Sequence, residues 1–382
     1  MYVYLISNSF IFITSIICEN IFCIFKGAAK FSSFFYKFWC FILLFLSAFR
    51  YGIGTDYNVY YNEYLHALNG SINFNLVSYI IKLLRLCNLP FQIIIIACSC
   101  SFLLPIFYLT YKLCYNYKLF SLGVLMGLSY YVYSYNIFRQ CAAIGLMLFF
   151  LYRWVYTSKN RYIFALIIPI LIHPSSLIAL VFYYLISKMH FKYRTLKALS
   201  CAGILVFLFV PESIGSLFVK NFIQLFTNTI YGGYATSQDI NFLARIYNQN
   251  MEFVPKILII PFLIALPIML NRLNYSNKIL VHYRDKSHLI NVQEYFLKMY
   301  FCYFMVMSLK IGSEIVSRFL MYFSIVSIWA IPMLLESRDI NKWIKRMIAI
   351  FIIAVSIYYH VLWLKGNGCE AYPYQNIFLG FL

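Results

Sequence analysis

The sequence has few charged residues and none of the common nucleotide-binding or metal-binding motifs. Only 11% of its 382 residues are Asp, Glu, Lys or Arg, against about a quarter in an average soluble domain. It contains no P-loop, no Rossmann glycine pattern and no G-x-S-x-G element, and its His and Cys residues do not form a cluster at metal-ligand spacing. These absences argue against a soluble enzyme, a nucleotide-sugar site in a cytoplasmic domain, and a metal or organic cofactor.

Apolar and aromatic residues dominate what is present. The chain is 63% hydrophobic and 21% aromatic, and its mean hydropathy is +0.76. Apolar runs of about 17 to 25 residues are typical of membrane-spanning helices. The sequence therefore predicts an all-α integral membrane protein, a single polytopic domain over 1–382, with about twelve transmembrane helices. The predicted segments are 2–25, 33–49, 92–111, 119–137, 140–157, 161–173, 175–187, 198–210, 254–271, 297–311, 316–335 and 346–364.

The positions of the basic residues predict which loops face the cytoplasm. The net charge is +19, but the basic residues lie between apolar spans, which is typical of a topology signal and not of nucleic-acid binding. About two thirds of the 31 Lys and Arg fall in one alternating set of loops, which the positive-inside rule assigns to the cytoplasm. This leaves two longer external segments, at about 50–91 and 211–253. A helical pattern at 76–86 carries Lys82 and Arg85 and predicts a helix lying along the membrane interface.

The run from Arg50 to Tyr57, R-Y-G-I-G-T-D-Y, places an arginine and an aspartate at an external membrane boundary. Its two glycines allow the backbone to turn back toward the membrane. An arginine next to lipid headgroups suits anion binding, and Asp56 suits proton abstraction. Two structural alternatives stay open: Arg50 as an interfacial anchor, and Arg50 with Asp56 as an ion pair that closes the loop.

Four further external sites carry polar residues that topology alone does not require. Arg139 and Gln140 follow a tyrosine-rich stretch that includes Tyr135, a pattern that suits a phosphate or sugar clamp or, alternatively, an aromatic belt with an anchor. His173 precedes Pro174 at a break between two short spans, where it is either functional or a packing group. Arg245 lies near Glu252 in the sequence, at the end of the large external segment. Arg318 lies one helical turn after Glu314, and its alternative role is a local ion pair with that residue.

Several of these motifs together resemble one family. Arg50–Tyr57 resembles the R-Y-G-x-G-T-D-Y signature of the EpsG-type family of O-antigen and exopolysaccharide polymerases, the Wzy class. Weaker matches follow in the same order along the chain. They are Phe138-Arg139-Gln140-Cys141-Ala142-Ala143, Leu171-Ile172-His173-Pro174-Ser175-Ser176, Ser317-Arg318-Phe319-Leu320-Met321-Tyr322-Phe323 and Tyr372-Pro373-Tyr374-Gln375-Asn376. A glutamate common in the family shortly after the first motif is missing near Asn73.

The resemblance implies a GT-C-like glycosyltransferase of the bacterial inner membrane with no cofactor. Such a polymerase moves the growing glycan from undecaprenyl pyrophosphate onto the non-reducing end of the next lipid-linked repeat unit at the periplasmic face. Its partners would be these lipid-linked oligosaccharides and the bilayer, and the resemblance allows for a chain-length regulator protein.

Under this hypothesis the external arginines bind the pyrophosphates and the tyrosines contact the glycan. The arginines are Arg50, Arg139, Arg245 and Arg318, supported by Gln140, Tyr57 and Tyr135. Arg139 also offsets charge on the leaving group, and Asp56, or else His173, is the general base. The competing hypotheses are an O-antigen ligase, a flippase for lipid-linked oligosaccharide, and a membrane scaffold without enzymatic activity.

Overall fold

The structure is a computed structural model that describes residues 2–19, 29–68, 76–190, 192–209, 259–279, 284–309, 314–336, 341–366, 374–378 and 380–381. The chain divides into two compact units. The first contains Met1–Leu180 and Ile331–Leu382, and the second contains Val181–Ala330. The predicted external segment 211–253 lies outside the described residues.

The described residues are almost entirely helical. In chain order the helices are α1 (Tyr2–Cys18), α2 (Ala29–Ala48), α3 (Thr55–His66), α4 (Leu76–Leu86), α5 (Gln92–Leu113), α6 (Lys118–Gly127), α7 (Tyr130–Tyr133), α8 (Phe138–Thr157), α9 (Arg161–Ala165), α10 (Ile167–Ile172), α11 (Ser175–Lys188), α12 (Tyr193–Phe209), α13 (Ile259–Ile279), α14 (Arg284–Ser308), α15 (Glu314–Ser324), α16 (Ser327–Glu336) and α17 (Lys342–Gly366). Two short strands, β1 (Gln375–Asn376) and β2 (Gly380–Phe381), pair antiparallel.

The helices agree with a membrane protein, although they do not confirm twelve spans. Within the described part of the chain, four helical stretches are long and apolar enough to cross a membrane: Phe31–Ala48, Gln92–Leu113, Arg318–Glu336 and Lys342–Leu362. Each coincides with a predicted span. Other predicted spans correspond to shorter apolar helices, for example Val3–Cys18 and Ser175–Lys188. The number of transmembrane helices therefore stays a prediction.

The structure corrects the predicted span 119–137, which is not one continuous helix. Helix α6 ends at Gly127, and Ser129 adopts a left-handed backbone with φ 61°. A left-handed residue breaks the hydrogen-bond ladder of a right-handed helix. The tyrosine-rich stretch after it, including Tyr131 and Tyr135, folds into short turns and is buried instead of lining an outer rim.

The predicted break at Pro174 is confirmed. Helix α10 ends at Ile172, His173 is extended with φ −146° and ψ 112°, and α11 begins at Ser175. Proline disfavours the helical conformation of the residue before it, which accounts for the extended His173.

The helices that carry the site pack against one another in the first unit. The Tyr36 hydroxyl of α2 donates to the Phe107 carbonyl of α5 at 2.6 Å. At Gly145, α8 lies so close to α5 that an added Cβ would come 2.7 Å from the Cα of Phe102. Small residues at such crossings let helix backbones approach each other in membrane proteins.

A buried glutamate ties together the opposite end of the first unit. Glu19, just beyond α1, is 5% exposed and accepts hydrogen bonds from the backbone N–H groups of Leu119 and Phe120 at the start of α6. Ser15 donates a third hydrogen bond. The N-terminal N–H groups of a helix have no partner within the helix, so this carboxyl group caps α6.

The second unit is stabilised by hydrogen bonds from buried tyrosines and by stacking of aromatic rings. The Tyr183 hydroxyl donates to the Tyr322 carbonyl, and Tyr295 donates to the Tyr183 carbonyl. The rings of Phe262 and Phe304 stack with their centroids 5.2 Å apart.

Candidate functional site

Arg50 lies inside the first unit and not at its surface. Its side chain is 1% exposed, which argues against the interfacial anchor. Nη1 donates to the Ser47 carbonyl at 2.7 Å and to Ser99 Oγ at 3.2 Å, and the guanidinium lies 4.6 Å from the centre of the Tyr135 ring. None of these hydrogen bonds goes to a carboxylate. Nε and Nη2 have no hydrogen-bond partner among the described residues.

The position of Arg50 follows from the end of α2. The last carbonyls of a helix have no partner within it and form the negative end of its dipole, where a cation is favourable. Here each of these carbonyls receives a donor from elsewhere: Leu46 from Tyr374 Oη at 2.7 Å, Ser47 from Arg50 Nη1, Ala48 from Gln92 Nε2 at 2.6 Å, and Phe49 from the Ile377 N–H at 3.1 Å. The end of α2 is therefore fully capped, and Arg50 is one of its caps.

Four buried tyrosines, Tyr4, Tyr131, Tyr135 and Tyr374, form a cluster on which Arg50 rests. Tyr135 lies 5.3 Å from Tyr131 and 6.1 Å from Tyr4, and Tyr4 meets Tyr374 edge-on at 5.8 Å, all measured between ring centres. A guanidinium over the face of an aromatic ring is attracted by the negative charge of that face. The tyrosine cluster thus stabilises a buried cation that has no acidic hydrogen-bond partner in the part of the chain that the structure describes.

The two glycines after Arg50 turn the chain onto this cluster. Gly52 has φ +63° and Gly54 has φ +96°, conformations that residues with a Cβ rarely adopt,. A Cβ at Gly54 would overlap the carbonyl oxygen of Tyr135 and lie 3.5 Å from the backbone nitrogen of Asn136. The glycine therefore allows the turn to lie directly against the backbone of the tyrosine-rich stretch.

Asp56 and Tyr57 follow in the first turn of α3. Asp56 is half-buried, and Tyr57 is 3% exposed. The Tyr57 ring packs edge-on against Phe91 at 5.3 Å. Burial raises the pKa of Tyr57 to about 12. Its ring is thus part of the core between α3, α4 and α5, and does not form an open platform.

Arg139, at the start of α8, faces helix α3, which also carries Asp56. Its guanidinium lies over the Tyr60 ring, 4.6 Å from the ring centre. Burial raises the pKa of Tyr60, the positive charge of Arg139 lowers it, and the negative charge of Asp56 raises it. Arg139 and Asp56 therefore act on the same phenol. Cys98 lies within electrostatic reach of both Arg50 and Arg139, so both guanidinium groups belong to the same region of the first unit.

His173 lies at the end of α10, which packs against α8. Its Nδ1 is 2.7 Å from Ser175 Oγ. The preceding residue, Ile172, packs against the aromatic core that contains Tyr57 and Phe138. His173 therefore lies next in sequence to a residue of this core, as do Asp56, which precedes Tyr57, and Arg139, which follows Phe138.

A narrow void lies beside Arg50. It is lined by Ser47, Cys98, Ser99, Phe102, Ser134, Phe138 and Cys141. Two of these residues, Ser47 and Ser99, also bind the guanidinium. The void leaves no room for a water molecule, so a ligand could reach it only if its walls moved apart.

The structure brings together some, but not all, of the predicted site residues. Arg50, Asp56, Tyr57, Tyr135, Arg139 and Gln140, with His173 nearby, all belong to the first unit. Gln140 is buried on α8. Arg318 is half-buried on α15 in the second unit, and Arg245 lies outside the described residues.

Three residues outside α2 whose side chains contact Arg50 or cap α2 had no role in the sequence analysis. Gln92 and Ser99 are on α5, and Tyr374 lies near the other end of the chain. Gln92 and Ser99 are polar residues within a predicted membrane span, which is the signal that could have identified them. Tyr374 belongs to the last matched motif, but only the fold reveals its proximity to Arg50.

Comparison with known proteins gives one match. A family model described as the EpsG family matches residues 33–376, which include every site residue named above except Tyr4 and Ile377. No curated protein and no solved structure matches the chain.

Proposed function

This chain belongs to the EpsG family, and from that premise we propose that it is an exopolysaccharide or O-antigen polymerase. The proposed enzyme is a GT-C-type glycosyltransferase of the bacterial inner membrane whose site faces the periplasm. Its proposed donor and acceptor are both oligosaccharides linked to undecaprenyl pyrophosphate.

In the proposed reaction, a hydroxyl at the non-reducing end of the acceptor attacks the anomeric carbon that joins the donor glycan to its pyrophosphate. The new glycosidic bond forms as the bond to the pyrophosphate oxygen breaks. Undecaprenyl pyrophosphate leaves with the bonding electrons, and the hydroxyl proton passes to a base. The enzyme therefore has to neutralise a developing diphosphate charge and accept one proton.

The observation that carries this proposal is the buried Arg50 with two uncommitted donors. Nε and Nη2 have no hydrogen-bond partner among the described residues, although an unmade hydrogen bond of a buried charged group is costly,. One guanidinium edge caps α2, while the donors of the other edge could bind a phosphate once the walls of the void beside Arg50 move apart. Guanidinium groups bind phosphate oxygens strongly, in pairs, and do not lose their charge near neutral pH.

Arg139 and Asp56 supply the remaining chemistry in this proposal. Arg139 would bind the second phosphate, because its sequence neighbours Phe138 and Cys141 line the same void as the two serines that bind Arg50. Asp56, which acts on the same Tyr60 phenol as Arg139, would accept the proton, with His173 as the alternative base. Gln140, Arg245 and Arg318 stay proposed ligands of the pyrophosphate or glycan. For Tyr57 and Tyr135, direct contact with glycan requires the site to open, since both rings are buried.

The first test is deletion of the gene followed by gel display of the surface polysaccharide. Loss of a polymerase should collapse the ladder of chain lengths to a single repeat unit on the lipid core. A bare lipid core would instead indicate a ligase or a flippase. An unchanged ladder would contradict the polymerase, the ligase and the flippase hypotheses alike.

Complementation with Arg139→Ala then tests the arginine site. The expected result is folded protein at normal abundance with little polymer of more than one repeat. Arg153→Ala is the matched control, because Arg153 lies on the same helix near its other end and also covers a tyrosine, Tyr162, at 5.2 Å. Long chains made by the Arg139 variant would remove this arginine from the site.

Asp56→Asn tests the base. Transfer should slow by about 10²- to 10⁴-fold, while the affinity for the lipid-linked substrate changes little. Glu63→Gln, two turns later on α3, is the control, because the charge of Glu63 also raises the pKa of Tyr60 although this residue is not proposed as the base. An unchanged distribution of chain lengths in the Asp56 variant would favour His173.

A further inference from the structure

We propose that the segment Tyr374–Phe378, here termed the closing segment, positions Arg50 for the reaction. This inference rests on the proposed function, because it assigns a role in that site. The closing segment lies far from Arg50 in sequence, yet it contacts the end of α2 both before and after this residue. Tyr374 is the positioning residue, and it acts on the substrate only through Arg50.

The backbone of the closing segment holds Arg50 from both sides in sequence. The Ile377 N–H donates to the Phe49 carbonyl at 3.1 Å, and the Tyr51 N–H donates to the Gln375 carbonyl at 3.0 Å. This is the pattern of an antiparallel pair with Arg50 opposite position 376. The backbone of Arg50, which lies beyond the last residue of α2, therefore keeps a defined direction.

The Tyr374 side chain adds an inner anchor. It is 0% exposed, and its hydroxyl donates to the Leu46 carbonyl one helical turn before Arg50. Its ring meets Tyr4 edge-on, and Tyr4 packs against the Tyr135 ring that lies under the guanidinium. Removing Tyr374 would leave a buried carbonyl without a donor and Tyr4 without a neighbour on that side.

The closing segment also has an outer anchor. Phe378 packs against Phe49 at 5.1 Å and against Phe45 at 6.3 Å between ring centres. The Gln375 side chain lies over Gly52, the first glycine of the turn. The segment thus holds α2 between an inner tyrosine and an outer phenylalanine and reaches the turn that leads to Asp56.

The contacts of the closing segment set the geometry at the end of α2. They contribute less to the stability of the whole unit. The hydrogen bonds within α2 are formed inside the helix and do not require the closing segment. A guanidinium that must present Nε and Nη2 to a phosphate, however, loses much of its effect when it moves by about 1 Å. The expected consequence is lost turnover with the protein still folded.

The test uses the full-length protein in lipid nanodiscs with a defined undecaprenyl-pyrophosphate-linked repeat unit. Tyr374→Phe removes only the hydroxyl, and we expect kcat to fall about tenfold, the effect of one hydrogen bond. Tyr374→Leu also removes the ring, and we expect a loss of about a hundredfold, typical of a small misplacement. KM should change less than kcat. Tyr358→Leu, at a ring that is 67% exposed on α17, is the control.

A double-mutant cycle with Arg50→Lys distinguishes positioning from a general structural role. If Tyr374 acts through Arg50, Tyr374→Leu should cause little further loss in the Arg50→Lys background. Additive losses, or Tyr374 variants with wild-type kcat, would overturn the proposal. Loss of turnover accompanied by a large fall in thermal stability, not restored by the phenylalanine variant, would also overturn it.

Measurements on the same samples distinguish a failure of the proposed polymerase function from a failure of the positioning role of Tyr374. If the wild type forms no polymer, the proposed function fails, and the cycle is then repeated on the dissociation constant for undecaprenyl pyrophosphate itself. Coupling between Tyr374 and Arg50 in that binding would support the positioning role. Independent effects on binding would reject it.

Discussion

Gly54 offers the sharpest test of the turn between Arg50 and Asp56. Its backbone has φ 96° and ψ 139°, close to a region that is essentially restricted to glycine,. A Cβ there would also overlap the Tyr135 carbonyl oxygen and lie 2.9 Å from the carbonyl carbon. These are backbone atoms, so a side-chain rotation cannot relieve the overlap.

Both effects contribute to the expected loss of stability in Gly54→Ala. Forcing alanine into this conformation costs about 1 to 3 kcal/mol. Overpacking against a backbone carbonyl adds about 1 to 3 kcal/mol. The sum is about 2 to 6 kcal/mol if the turn stays in place. The protein can reduce this cost by moving the turn away, which would shift α3, with Asp56 and Tyr60, relative to Arg139.

Gly52→Ala is the matched control. Gly52 also has a positive φ, +63°, but its Cβ would meet only Gln375 Oε1, at an ordinary 3.6 Å. We expect a loss of about 1 to 2 kcal/mol, from the left-handed backbone alone. The two variants therefore differ chiefly in the overlap with Tyr135.

The assay compares thermal unfolding midpoints of both variants in nanodiscs with the polymer ladder in cells. Gly54→Ala should have the lower midpoint, or a near-normal midpoint with no polymer, whereas Gly52→Ala should keep most of its polymer. Equal midpoints together with equal ladders would refute the argument that contact with the Tyr135 backbone is what requires glycine at this position.

Two further predictions concern Glu19 and Arg50. Glu19→Ala should lower the free energy of unfolding by about 2 to 4 kcal/mol, because two N–H groups at the start of α6 lose their acceptor. Glu19→Gln, which keeps an acceptor, should lose much less at pH 7. Thermal unfolding midpoints in nanodiscs check both variants, and equal midpoints for Glu19→Ala and Glu19→Gln would contradict the capping role. Arg50→Lys should sharply reduce polymer length with the protein folded, because an ammonium cannot cap Ser47, stack on Tyr135 and bind phosphate together; a normal ladder from this variant would show that charge alone suffices.

Local patterns were enough to predict the membrane class and several helix boundaries. The runs that end at Ala48 and begin at Gln92 are apolar over the length of a bilayer, and that property is written in consecutive residues,. The break at Pro174 follows from the covalent structure of proline. The span 119–137 was mispredicted because a left-handed Ser129 leaves no mark in hydropathy.

The candidate site was predictable in its residue types but not in its arrangement. The motif at 50–57 identified Arg50 and Asp56, and the pattern at 138–143 identified Arg139. That Arg139 lies over Tyr60, and that Arg50 and Arg139 both act on Cys98, depends on how α2, α3, α5 and α8 pack.

Span length, aromatic content and the Arg50–Tyr57 motif are local properties, so consecutive residues were enough to identify a helical membrane protein of the EpsG family. That Arg50 points inward, rests on Tyr135 and is held by Tyr374 follows instead from how distant parts of the chain pack together. A buried cation is stable only where distant groups supply acceptors and ring faces, and those groups come together only when the chain folds.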